Sequence, residues 1–551
     1  MTAVLRRLGG SQVMLLASIL LAAAALVLAL APVPAQVVGV LVLVLEAALW
    51  WVGRHRSGQV LSCLAVAALL IALVALAVHD LATAWLIPGV VLATVAGLVD
   101  EVLRRRLVPR VRTAQLPGIP DDLRLEEPGP LVPIPQAGGA LLGLALILTT
   151  AVPHVVAGVV LLVLVLAVAG WCVARLRSEV AGRRRGTVNE HVTRALTAYA
   201  PTFFIYFSGP AEGDYQIRMW LPYLERLGVP FAILTRSEPL LRRAARFGSV
   251  PVVSSPHMAG LDACMVPSVR AVFYVNSNAQ CVDGVRYLDR THVQLNHGDS
   301  DKPSSYHPMY AMFDQVFVAG QAAVDRFARH GVAMPADTLV CVGRPQVDDI
   351  VDRNVEPVPG RVTVLYAPTW RGGVNDMNLS SLASGETVVR MLLDRGVRVM
   401  FRPHPLSTRD KASAAAITRI DEMLRQHSTA ERPHLTSADT AASTIVDCFN
   451  RCDVLVADVS SVVSDFLASG KPMAVVDPGG RRGERALDAQ QSPVLQAAYV
   501  LDPGDDSPTA LDDLLGADSL APIRRELRTY YLGSAHPSAP VFLDAAARAL
   551  C

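Results

Sequence analysis

Two regimes of hydrophobic patterning divide the chain. Up to about residue 185, apolar residues come in long, nearly unbroken runs at 11–31, 36–52, 60–78, 81–99, 137–153 and 155–174. Runs approaching ~20 residues have the length a helix needs to cross a hydrocarbon core. Residues 1–178 are therefore expected to form an α-helical membrane bundle of about six spans. From about 186 the apolar runs shorten and alternate with amphipathic stretches. Strands are expected at Phe203–Phe207, Pro230–Leu234, Val250–Val253, Val272–Val275, His292–Leu295 and Gln315–Val318. A second series follows a Pro357–Gly360 linker, at Val362–Tyr366, Val397–Phe401, Val454–Ala457 and Met473–Val476. Strands alternating with helical stretches indicate parallel sheets in α/β layers. The expectation is two lobes, 186–355 and 356–551, facing a cleft.

Charge adds an orientation. Arg6 and Arg7 precede the first run, and Arg54 and Arg56 lie between the second and third. Arg104, Arg105, Arg106, Arg110 and Arg112 follow the fourth, and Arg175, Arg177 and Arg183 to Arg185 follow the sixth. The alternate loops carry no arginine or lysine. By the positive-inside rule both termini, and with them residues 186–551, are expected on the cytoplasmic side of the cell membrane. The proline-rich, acidic segment Pro117–Pro135 reads as a cytosolic loop between two membrane hairpins. Glu46 is the one carboxylate within a run, a functional candidate by default or a helix–helix contact.

Composition narrows the classes. The 551 residues are 52% hydrophobic, which is high for a purely soluble enzyme, and the formal net charge of +1 provides no global field to draw nucleic acid. Eight cysteines are scattered, and the closest pair, Cys448 and Cys452, lacks the further ligands of a zinc site. Lysine is rare: Lys302, Lys411 and Lys471 are the three in the chain.

In open α/β sheets ligands sit beyond the carboxyl ends of the strands, and four expected strand ends carry polar clusters. The first runs Asn296-His297-Gly298 into Asp299, Ser300, Asp301 and Lys302. It offers an imidazole suited to general-base work, or else a structural turn. The second runs Ala367-Pro368-Thr369-Trp370-Arg371. In the third, Arg402-Pro403-His404-Pro405, two prolines stiffen the backbone around a pair suited to phosphate oxygens. The fourth is Asp458-Val459-Ser460-Ser461, leading directly into a helix that carries Asp465. Hydroxyls and unpaired amides there suit an anion, and they equally suit plain helix capping by Ser460.

Taken in this order, the clusters resemble the CDP-glycerol glycerophosphotransferase family of teichoic-acid primases and polymerases. The likeness extends over most of 200–480. His297, Gly298 and Lys302 fit a His-Gly-Thr-Pro-x-Lys pattern, and Arg402, His404 and Pro405 fit Arg-x-His-Pro. Asp458, Ser460, Ser461, Asp465, Phe466, Lys471 and Pro472 fit Asp-Tyr-Ser-Ser, an Asp-Phe helix and Lys-Pro. The resemblance implies a GT-B-like fold of two Rossmann-type lobes and a transferase without metal or cofactor. It implies movement of a polyol phosphate from a CDP donor to a hydroxyl of a lipid-linked polymer acceptor at the membrane, with release of CMP. Under it, His297 is the base, and Arg402 and His404 stabilise the transferring group and the departing phosphate. Ser460, Ser461, Lys302, Thr369 and Arg371 contact the donor phosphates, and Asp465 orients a histidine or a donor hydroxyl. Asp299 and Asp301 depart from the pattern and bring carboxylates beside an anionic donor, where they would repel it. The alternatives are a GT-B glycosyltransferase using a nucleotide sugar and a non-catalytic membrane scaffold.

Overall fold

The structure is a computed structural model. It describes residues 111–119 and 188–551, except for 245–247, 249, 257, 353–361, 373–377, 479–486 and 505–508, together with single helical positions at Val37, Val40 and Val163. Residues Arg110–Pro120 and Asn189–Cys551 form one compact unit.

Among the described residues no helix is long and apolar enough to cross a membrane. This corrects the expected fold class in its first part, the six-span helical bundle. The longest described helix, Lys411–His427, has 17 residues and buries one stripe (Ala416, Ile417, Ile420, Leu424) while its other face is charged. That is the pattern of a helix lying on a protein core, not one surrounded by lipid. Apart from Val37, Val40 and Val163, the six apolar runs, with Glu46, lie outside the described residues. Arg112–Ala114 forms strand β1, paired antiparallel with β4 in a register that sets Arg112 opposite Ser254.

The unit is built on two sheets. The first contains β1, β2 (Phe203–Phe207), β3 (Phe231–Thr235), β4 (Val252–Ser254), β5 (Ala271–Tyr274), β6 (Thr291–Gln294), β7 (Gln315–Val318) and β8 (Leu339–Cys341). Their spatial order is β1-β4-β3-β2-β5-β6-β7-β8, parallel throughout apart from β1. The second contains β9 (Thr363–Ala367), β10 (Arg398–Phe401), β11 (Val454–Ala457), β12 (Met473–Val476) and β13 (Tyr499–Leu501), all parallel in the order β10-β9-β11-β12-β13. Strands buried on both faces read as continuous apolar runs. β2, with sequence FFIYF, and β11, with VLVA, are buried along their whole length for that reason. The expected linker Pro357–Gly360 lies outside the described residues.

The carboxyl terminus ties the two sheets together. Helix Ala521–Leu532 packs with the second core through Tyr531 and Leu532, whereas helix Ala539–Arg548 returns to the first core through Phe542, Ala545 and Ala546. Asp348, after β8, accepts hydrogen bonds from Ser538 N and Ala539 N at the start of the returning helix, both at 2.9 Å.

Candidate active site

The carboxyl ends of β6, β9, β10 and β11 converge. At the end of β6 the chain turns through Asn296, a non-glycine residue at φ 56°. That left-handed conformation is held at side chain and backbone: Tyr310 Oη donates to Asn296 Oδ1 at 2.6 Å, while the Asn296 backbone N–H donates to Gln294 Oε1 at 2.9 Å. The turn delivers His297. Its Nδ1 lies 3.2 Å from the carbonyl oxygen of Val275. A carbonyl can only accept, so Nδ1 carries the proton and Nε2 keeps a bare lone pair. Burial, with Arg344 and Lys302 nearby, lowers the His297 pKa from the usual 6.5 to about 4, so the ring is neutral near pH 7.

Gly298 follows because nothing larger fits. A Cβ there would stand 2.7 Å from Ser461 Cβ, at the start of helix Ser461–Phe466 on the second sheet. The His297 turn therefore sits directly against the Ser460–Ser461 segment. Ser460 Oγ turns to the carbonyl oxygen of Asp458 at 3.1 Å and makes no side-chain cap on that helix. Capping by Ser460, the bland reading of this segment, has no support from its hydrogen bonds.

His404 is held in the opposite way. It opens the short turn Pro405–Arg409, and its Nδ1 accepts from Leu406 N at 3.1 Å. Nδ1 is then the acceptor, so the neutral ring carries its proton on Nε2. Burial is the main cause that lowers the His404 pKa to about 3, with Lys302 and His297 adding to it. Nε2 is 3.4 Å from Tyr215 Oη. Tyr215 stands edge-on to both imidazoles, with ring centroids 6.1 Å from His297 and 5.7 Å from His404. Trp370 is roughly parallel to His404, with ring centroids 6.2 Å apart and planes at 27°.

Lys302 and Thr369 meet across the cleft, Nζ donating to Oγ1 at 2.8 Å. Beneath them Asp458 is fully buried. Its Oδ2 accepts from Thr369 N at 2.6 Å and Ser381 N at 3.1 Å. Desolvation raises the Asp458 carboxyl to about 6, and the same cause lowers Lys302 to about 8, against the pull of Asp458.

Asp465 pairs with Arg344, which donates through Nε at 3.0 Å and Nη2 at 3.1 Å, and that same Nη2 lies 3.5 Å from the carbonyl oxygen of His297. Asp465 thus reaches the His297 turn through an arginine, with no described hydrogen bond of its own to His297. The two departing carboxylates have the same kind of answer. Asp299 and Asp301 both bind Arg326, Asp301 at 2.9 Å, and Tyr531 Oη donates to Asp301 at 2.6 Å. One buried guanidinium balances much of their charge, so the repulsion of an anionic donor expected from them is weakened.

Of the residues singled out from sequence, His297, His404, Lys302, Thr369, Ser460 and Ser461 come together, with Asp465 one contact behind. Arg402 and Arg371 do not join them through any described hydrogen bond. The Arg402 guanidinium donates to the carbonyl oxygen of Thr440, and Arg371 is exposed near Asp410. Lys471, a motif lysine, is buried and donates to the carbonyls of Phe449 and Cys452, each at 2.7 Å, closing the end of helix Ile445–Arg451. Sequence reasoning missed Tyr215, Arg344 and the central place of Asp458. A Gly-Asp-Tyr turn after β2 and a Gly-Arg-Pro turn after β8 were the available signals.

Residues 289–478 match the family described as CDP-Glycerol:Poly(glycerophosphate) glycerophosphotransferase. Among solved structures, the chain is similar to the wall teichoic acid polymerase TagF at 12% identity, with 69% of this chain and 96% of that one covered and a TM-score of 0.42. A glycosyltransferase from Rickettsia africae ESF-5 is similar at 13% identity, covering 64% and 97%, with a TM-score of 0.40. The S. aureus MnaA–UDP structure is similar at 10%, covering 62% and 95%, also with 0.40. Likeness of this degree says nothing about chemistry. No curated protein matches the chain. The family match takes in about a third of the chain, from the strand that presents His297 to the helix that carries Asp465, and on it the chain is a CDP-glycerol glycerophosphotransferase-like enzyme.

Proposed function

We propose that the chain moves a polyol phosphate, glycerol phosphate in the first instance, from a CDP-activated donor to a hydroxyl of a lipid-linked cell-envelope acceptor. CMP leaves, and the product is a teichoic-acid-like polymer. The observation that supports this most is the pair of opposite tautomers inside the family-matched segment: a bare Nε2 on His297 and a protonated Nε2 on His404.

Phosphoryl transfer needs little covalent help from a protein, and positioning and charge stabilisation dominate. In the proposed step the acceptor oxygen attacks the polyol phosphorus and forms the new O–P bond. Its proton passes to His297 Nε2. The bond from that phosphorus to the bridging oxygen breaks, and the electron pair leaves on CMP. His404 Nε2–H and the Lys302 ammonium donate to phosphate oxygens as charge shifts among them. The serine hydroxyls of 460 and 461 hold the pyrophosphate. The donor belongs with the lobe proposed for 356–551 and the acceptor with that for 186–355. A lipid-linked acceptor brings the reaction to the cytoplasmic side of the cell membrane.

The test is nucleotide release by the purified chain given CDP-glycerol, CDP-ribitol or UDP-sugars with a polyol-phosphate primer. CMP release dependent on His297 and His404 is expected. UDP release without CMP release would sink the reading and favour a glycosyltransferase.

A further inference from the structure

One hydrogen at this site has two claimants. Leu406 N–H occupies His404 Nδ1 at 3.1 Å, so Nε2 holds the only N–H hydrogen of the neutral ring. In this structure that hydrogen is directed at Tyr215 Oη, 3.4 Å away. A donor phosphate oxygen needs the same hydrogen in the transfer proposed above, on which this inference rests. At 3.4 Å a hydrogen bond is near its geometric limit and weak, so handing the hydrogen over costs little.

Tyr215 is well made for the exchange. It comes from helix Tyr215–Arg218, after β2 of the first sheet, whereas His404 follows β10 of the second. Its ring is near-perpendicular to both imidazoles, at 84° and 87°, and its hydroxyl also lies 3.2 Å from Gln216 Nε2. Burial raises the Tyr215 pKa, so the phenol keeps its proton. A hydroxyl differs from a carbonyl in that it can stop accepting and start donating by rotating about one bond.

We propose that Tyr215 is a further residue of the transfer site: its hydroxyl accepts His404 Nε2–H, yields that hydrogen to a phosphate oxygen of the donor, and turns its own O–H onto the same phosphoryl group. No proton changes owner. The first lobe thereby supplies a donor to a group that the second lobe holds.

The arrangement separates binding from turnover. Tyr215→Phe keeps the ring and its edge contacts but removes both the competitor for His404 and the extra donor. The expected result is a kcat lowered on the order of 10²-fold, with affinity for the CDP donor unchanged or tighter. An unaltered kcat overturns the proposal, as does weakened donor affinity with kcat retained. A second measurement does not depend on turnover. In the full chain labelled with ¹⁵N-histidine, the His404 Nε2 resonance is assigned by its loss in His404→Gln. It should move in Tyr215→Phe, and it should move in the wild type when CMP is added. A resonance unmoved by Tyr215→Phe overturns the proposal even in protein that releases no CMP. Failure of the wild type to release CMP from any CDP-polyol counts instead against the transferase reading.

Discussion

The two walls of the cleft use the same side chain for opposite tasks. On the first-sheet wall, His297 meets a backbone carbonyl; on the second-sheet wall, His404 meets a backbone amide. Burial leaves both rings neutral near pH 7. One partner atom thus decides which ring nitrogen carries the proton, and so which wall can take a proton and which can only offer one. Residue type names the chemistry available, and the local backbone assigns the role.

The strongest way to break this comparison is to remove each ring in turn. His297→Ala should lower CMP release by about 10²–10⁴-fold, the range for loss of a general base, with CMP binding retained by calorimetry. His404→Ala should cost somewhat less, roughly 10²–10³-fold, as for loss of one preorganised donor. Gln at 404 can still donate a hydrogen bond, so His404→Gln should recover part of the rate, whereas His297→Gln should recover none. Equal rescue at both positions would erase the distinction between the walls.

The motif lysines extend the contrast. Lys302 reaches across the cleft to Thr369, and Lys471 closes a helix end in the core. Lys302→Met should weaken donor binding several-fold with little change in stability. Lys471→Met should leave donor binding intact and cost about 2–4 kcal/mol in denaturant unfolding, because two buried carbonyls lose a charged donor. A binding defect in Lys471→Met would show that the two lysines share a role.

The smallest expected effect is in pH dependence. His297 and His404 titrate at about 4 and 3 in the folded chain, below the usual 6.5, so between those values the unfolded chain holds more protons. Their contribution to stability is complete above pH 6.5 and is lost as pH falls toward 4 and then 3. Asp458 acts in the reverse direction: with its carboxyl raised from 3.8 to about 6, the folded chain binds the extra proton in that interval. Two histidines outweigh one carboxylate, and His434, also lowered to about 4, adds to their side. The melting temperature should therefore drop on acidification from pH 6.5 to 4, and Asp458→Asn should steepen the drop. A flat profile would mean that the histidines are not held neutral by burial.

Much of the α/β part was legible in the chain. Phe203–Phe207, Gln315–Val318, Val454–Ala457 and Met473–Val476 are strands with the expected bounds, because strands buried on both faces must be apolar throughout. The short outer strands β8 and β13 escaped notice. They are only part-buried, at three residues each, so little apolar patterning is demanded of them. β1 was hidden for another reason: its sequence, Arg-Thr-Ala, earns its place by pairing with β4 rather than by hydrophobicity. The expectation of a membrane bundle rested on run length and arginine placement, and no helix among the described residues carries it.

The sequence by itself determined the order of the strand-end clusters and the residue types they bring to the cleft, because parallel sheets collect whatever follows their strands at one edge. It could not show that Arg402 would turn to a carbonyl oxygen, that Arg326 would balance Asp299 and Asp301, or that Arg344 would join Asp465 to the His297 turn. Those outcomes depend on partners 25 to 121 positions away in the chain. Only the tertiary structure decides which charge meets which, because a buried charge must be paired and the chain carries no local mark of where its partner comes from.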